Sequence, residues 1–116
     1  MILKELYDKV TLVNPCSKAA FLTHFDTSVR ALIARYGKRY VVLRNAVYSK
    51  PVNDEEDVPI YDEYMVALYS NILYLLTQNP DRKTDYLAEA EDAYKTVHTR
   101  RIRGVKFRDA DYPFFY

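Results

Sequence analysis

Residues 60–77 read IYDEYMVALYSNILYLLT, the most apolar run in a chain of 116 residues. Tyr61, Tyr64, Met65, Leu68, Ile72, Leu75 and Leu76 fall on one helical stripe at steps of three and four. Tyr69, Leu73 and Tyr74 carry the apolar surface around much of the circumference. A helix that is apolar nearly all round is buried on several sides. The run therefore reads as a central helix with the other helices laid on it. Asp62, Glu63, Ser70 and Asn71 interrupt it too often for a membrane span, which needs about twenty mostly apolar residues. Pro59 suits a first helical position and Asp57 lies close enough to cap, so the helix is expected to begin near Pro59 or Ile60. Asn79-Pro80 ends it after Thr77.

Before this helix, Ile2, Leu3, Leu6 and Val10 mark a short amphipathic helix of about two turns, broken over Thr11 to Pro15. Ser17 is an N-cap candidate for the next. Phe21, Leu22, Phe25, Val29, Leu32, Ile33 and Tyr36 then give the cleanest helical period in the chain, and Gly37 follows as expected of a C′ residue. Tyr40 to Tyr48, YVVLRNAVY, reads either as a short strand or as a helical extension. Ser49 to Pro59 is a loop with prolines near both ends and Asp54, Glu55, Glu56 and Asp57 between them. Four adjacent acids repel one another, which predicts a solvated, mobile loop.

After Pro80 a helix is expected from about Asp81 to about Arg101, with a narrow alanine-rich stripe of Tyr86, Leu87, Ala90, Ala93, Tyr94 and Val97. The short break makes it an antiparallel neighbour of the central helix. Beyond it Arg100, Arg101, Arg103, Lys106 and Arg108 form a basic segment, with Gly104 as a hinge. Asp109 and Asp111 then lead to Tyr112, Pro113, Phe114, Phe115 and Tyr116. An aromatic terminus must dock, either back onto its own chain or into a neighbour. The expected architecture is mainly α: one domain over 1–116, a small antiparallel bundle of about four helices, with a short extended segment, a loop at 49–59 and a C-terminal arm at 102–116.

Composition narrows function. Net charge is +1, so the chain as a whole is not a polyanion binder. Two glycines argue against a turn-rich β fold and a phosphate-binding loop. Twelve tyrosines suit half-buried surfaces and interfaces, or simply replace Phe and Leu in a small core. The lone Cys16 excludes an internal disulfide and fits a reducing compartment. MILKELYDKV lacks the apolar core of a secretory leader. Cys16, His24 and His98 have no zinc-type spacing, and the acids at 54–57 lack the alternation of an EF-hand. No nucleophile, zincin or Walker motif occurs. No enzyme activity, cofactor or metal is expected.

The charges are nonetheless segregated. Acids concentrate in 54–63 and bases in 30–50 and 95–108. The basic groups suggest phosphate contacts, so a small DNA-binding or regulatory protein using the basic C-terminal segment is one reading. The acids balance them almost one for one, which favours solvated or ion-paired positions instead. Separate acidic and basic patches also favour head-to-tail contact between copies, closing into a ring where the rotation permits.

The order of these segments resembles the small helical head–tail connector (adaptor) proteins of tailed bacteriophages and prophages. The likeness is in layout. A capped helix (Ser17 to Tyr36) precedes an extended stretch with an acidic loop (Tyr40 to Pro59), a helix opening VPIYDEYMVALYSNILYLLT, a charged helix DYLAEAEDAYKTV and a basic tail. The resemblance implies a structural role in the virion, assembled in the host cytoplasm. Copies would form a ring of about a dozen beneath the portal. The ring would extend the DNA channel and present a docking surface to further connector or tail proteins. It implies as partners the chain itself, the portal protein and those later proteins, with non-specific DNA contact in the channel and no membrane. The arms at 49–59 and 102–116 would order on assembly. Candidate interface residues are Asp54, Glu55, Glu56, Asp57, Arg100, Arg101, Arg103, Lys106, Arg108, Tyr112, Phe114, Phe115 and Tyr116. The aromatic terminus departs from the family layout.

Overall fold

The computed structural model describes residues 1–37, 41–44 and 47–108, with 101–108 as backbone. Four helices account for most of it: α1 (Leu3–Val13), α2 (Lys18–Tyr36), α3 (Met65–Thr77) and α4 (Pro80–Arg108). The fold is a small antiparallel helical bundle, mainly α. No strand forms among the described residues, and two isolated antiparallel bridges, Ile2 with Asp57 and Leu43 with Ile60, are the only β pairing there. No helix among them is long and apolar enough to cross a membrane.

Local chemistry explains most helix ends. The Ala20 N–H donates to Ser17 Oγ at 3.1 Å, the expected N-cap of α2. Gly37 closes the same helix at φ 66°, a conformation that costs a glycine nothing. Gln78 ends α3 in the same left-handed region, at φ 59°. Asn79 then caps α4, its Oδ1 accepting from the Asp81 N–H at 3.0 Å. Pro80 occupies the first helical position of α4, where its missing N–H is no loss.

The central helix lies where expected but begins later, at Met65, after a 3-10 turn at Asp62–Tyr64. Residues ahead of the turn are held extended by pairing on both sides. Met1 and Val58 exchange backbone hydrogen bonds at 2.9 and 3.1 Å. The Arg44 N–H donates to Pro59 O at 2.7 Å and the Tyr61 N–H to Val42 O at 3.1 Å. Pro59 is therefore not the first helical residue, and Asp57 caps nothing. The same pairing decides the ambiguous stretch 40–48: Val42 to Arg44 run extended against 59–61, without forming a strand. Residues 38–40 and 45–46 lie outside the described residues.

α3 and α4 form the principal helix pair. As residue number rises along the first from Glu63 through Ser70 to Tyr74, the partner on the second falls from Arg100 through Glu89 to Lys83. The pair is thus antiparallel over its length. Tyr86, Ala90, Ala93 and Val97 are buried along the seam, and the two alanines let the helices approach closely. On another side Asn71 Nδ2 donates to Ser28 Oγ at 2.7 Å, fixing α3 against α2 in the core. Tyr64 is fully buried and its hydroxyl donates to Val41 O at 2.6 Å. Burial raises that hydroxyl well above its ordinary range, so it remains a donor.

α4 corrects a further expectation. It runs without a break through Gly104 to Arg108, so Gly104 is not a hinge. Residues 109–116 lie outside the described residues.

Two substitutions test this packing by urea unfolding. Ala90→Leu overfills the seam and lowers stability by about 1–3 kcal/mol. Gln78→Gly relieves the left-handed residue and raises stability by up to about 1 kcal/mol. A neutral Ala90→Leu variant would contradict the close α3–α4 approach.

Candidate interaction surfaces

The four acids expected as an exposed, mobile patch are each used differently. Asp54 is 5% exposed, and its carboxylate lies 3.4 Å from Lys18 Nζ. Glu56 Oε2 accepts the N–H groups of Val52 and Asn53 at 2.6 and 3.0 Å. Asn53 Oδ1 accepts from the Glu55 N–H at 2.9 Å, while the Glu55 side chain faces solvent. Asp57 Oδ1 receives the Met1 ammonium at 2.7 Å, with Asp62 a second carboxylate at 3.5 Å and Arg44 beyond at 3.9 Å. The loop is tied down at its start as well. Tyr48 donates to Asp26 Oδ1 at 2.8 Å, and Lys50 Nζ donates to Thr23 Oγ1 at 3.3 Å. The expectation of a mobile acidic arm at 49–59 is therefore corrected: ammonium, lysine and backbone donors neutralise the repulsion that predicted it.

Arg100, expected to face a partner, is engaged within the chain. Its guanidinium pairs with Glu63 and lies 5.6 Å from the Tyr61 ring centroid. It remains more than half exposed, so the pair locates the α4 stem against the start of α3 and contributes little energy. Arg101, Arg103, Lys106 and Arg108 are carried on the helical backbone that continues from it. Tyr112, Phe114, Phe115 and Tyr116 lie outside the described residues.

Among the described residues, reactive side chains do not converge. Partial burial raises the Cys16 thiol above its usual range, which keeps it protonated at neutral pH and a poor nucleophile. Among the described residues no three His, Cys, Asp or Glu groups come together as a metal set. An open cleft of about 760 Å³ lies between the loop and the start of α2, with Lys18, Lys50 and Asp54 among its lining residues. The ion pair and hydrogen bond just described already occupy these groups. Where α2 meets α4, Tyr36 stacks on Tyr94 at 4.3 Å and Tyr94 on His98 at 5.4 Å. The Tyr36 hydroxyl is buried with no hydrogen-bond partner among the described residues, and burial raises it above its ordinary range.

The surface that sequence reading missed is apolar. Leu12 is 86% exposed, Val13 52% and Val66 56%. With Lys9, Met65 and Tyr69 they line a groove of about 330 Å³ between α1 and α3. Two signals pointed to it. Leu12 and Val13 lie two and three residues beyond Val10 and continue the helix to Val13, where the expected stripe stopped at Val10. Val66 lies off the main stripe of the central run. A contiguous apolar patch with a polar border marks an interaction site more often than do scattered single residues.

Comparison of the chain with protein-family models, with curated proteins and with solved structures finds no match.

The Met1 ammonium beside Asp57 holds its carboxyl below the usual carboxylate range. Stabilisation from the pair is therefore complete above about pH 4 and is lost as pH falls through the lower folded value. Asp57→Asn is expected to lower Tm at neutral pH, with the deficit against the parent protein shrinking below about pH 4. An equal deficit across the whole range would refute the ion pair as its cause.

Proposed function

We propose that this chain is a structural virion-assembly protein: a head–tail connector subunit that oligomerises into a ring below the portal and presents a docking surface to tail or further connector proteins. It performs no chemistry of its own in this reading. The layout of its segments supports the family comparison. The observation that carries the assembly role is the apolar face at Leu12, Val13 and Val66, which the described residues leave exposed. Contact between copies would remove that face from water, with about 25 cal/mol gained per Å² of apolar surface covered. The long stem of α4, extending past the start of α3, supplies a second element with which to reach a neighbour.

A second reading, a small DNA-binding or regulatory protein, is favoured by one feature. Arg100, Arg101, Arg103, Lys106 and Arg108 lie on one continuous helix. Such binding would weaken with salt at a slope of roughly −0.9 per phosphate contacted.

Light scattering of the full chain over a concentration series, alone and with a phage portal protein, tests the first reading. Ring-sized assemblies are expected, and deleting residues 112–116 is expected to abolish them while leaving the helical circular dichroism intact. A chain that stays monomeric alone and with portal, yet binds duplex DNA at about 50 mM salt with that slope, would replace the first reading by the second.

A further inference from the structure

The exposed side of α1 is complementary to a reversed copy of itself. We propose that two copies of the chain pair through α1, antiparallel, about a two-fold axis. The inference goes beyond the ring proposed above. A two-fold contact closes after two copies and does not by itself propagate, so it describes the free protein whether or not a ring follows.

Two observations carry it. The first is a stripe. Ile2, Glu5, Lys9 and Leu12 recur at steps of three and four, and all four are exposed. Ile2 stands at the N-cap and the other three within α1, so they share one side of the helix. Leu3, Leu6 and Val10 occupy the buried side, while Lys4 and Asp8 project further round than the stripe. Ile2 is 49% exposed and Leu12 86%, so a large apolar side chain stands in water at each end of α1. Val13 and Val66 widen the apolar end beside Leu12, with Met65 and Tyr69 lining the groove behind it.

The second observation is the order along the stripe: apolar, acid, base, apolar. When a second α1 lies antiparallel and the two helices are level at Tyr7, Ile2 of one is opposite Leu12 of the other and Glu5 is opposite Lys9. Both pairs are centred on the same residue, so one register satisfies both, and the two-fold axis makes each contact twice. A parallel pairing in register would set Glu5 on Glu5 and Lys9 on Lys9, which repel. A surface that complements itself on reversal is what an isologous interface requires. At ~1.5 Å per residue Glu5 and Lys9 are about 6 Å apart along the axis, and Ile2 and Leu12 about 15 Å. The charge pairs therefore flank the two-fold axis and fix register, while the outer apolar contacts supply affinity. Among the described residues neither Glu5 nor Lys9 forms an ion pair, and Lys9 Nζ lies 3.9 Å from Met65 Sδ. A pair of helices each only about 16 Å long makes a small interface, so the dimer dissociates on dilution.

Sedimentation velocity of the full chain across a concentration series tests the pairing. A monomer–dimer equilibrium is expected. Glu5→Lys and Lys9→Glu each set like charges opposite one another twice, and each is expected to weaken the dimer at least about tenfold. Leu12→Glu, which faces a carboxylate toward Ile2, has the same effect. Mixing the Glu5→Lys and Lys9→Glu proteins restores dimers, because the acids of one chain then meet the bases of the other. The double variant Glu5→Lys/Lys9→Glu restores them within a single sequence. All these positions are exposed, and unchanged helical circular dichroism verifies that each variant folds. Dimers indifferent to either single reversal, or a mixture that does not recover, overturn the antiparallel register. A parent chain monomeric at every concentration, or one forming ring-sized species that Lys9→Glu leaves intact, overturns the pairing without touching the ring reading. A parent chain that stops at dimers both alone and with a phage portal protein supports the pairing and overturns the ring.

Discussion

A helix whose apolar residues run nearly all the way round must be covered on every side, and the rest of this structure follows from how far that is achieved. α4 covers one side through the seam of Tyr86, Ala90, Ala93 and Val97. α2 covers another, anchored where Asn71 meets Ser28. α1 covers part of a third and leaves Val66 and the flank of Tyr69 open. The requirement is strong because each large apolar side chain left in water forgoes roughly 1.5–3 kcal/mol. A surface of this kind in an otherwise well-packed bundle is therefore the natural place to look for what the molecule touches.

A second constraint operates at the start of that helix. Residues 57–61 are threaded between Met1 on one side and Val42 to Arg44 on the other. This small extended seam draws together three distant parts of the chain and satisfies backbone groups that would otherwise be buried unpaired. It also explains why an acidic loop is ordered. Asp57 meets an ammonium, Asp54 a lysine, and Glu56 two backbone donors. Charge repulsion within the run is real, but these three carboxylates each have a nearer partner of opposite sign or a hydrogen-bond donor, and Glu55 turns to solvent.

These placements change the balance of candidate partner surfaces. Two features that looked like arms, the acidic loop and Arg100, are committed to contacts within the chain. The reach of the molecule passes to α4, a single long stem from Pro80 to Arg108. A stiff helix sets the direction and distance from which whatever follows it is presented. The family reading drawn from segment order and the physical reading drawn from the uncovered face are independent of each other. Both underlie the self-association proposed above.

Read alone, the residues determined the helices and most of their ends. Ser17, Gly37 and Asn79-Pro80 act on backbone groups within a few residues, and the three-and-four spacing of apolar side chains is a property of one helix at a time. The alanine stripe likewise announced a close antiparallel pairing, because a two-residue link leaves α3 and α4 no other arrangement. What waited on the tertiary structure was everything set by groups far apart in the chain: the fate of Asp54 and Asp57, the late start of α3, the engagement of Arg100 and the open face beside Leu12 and Val66. A carboxylate's behaviour depends on which cation folding brings beside it, and a helix face is exposed only if no other segment arrives to cover it. Neither is written in local spacing.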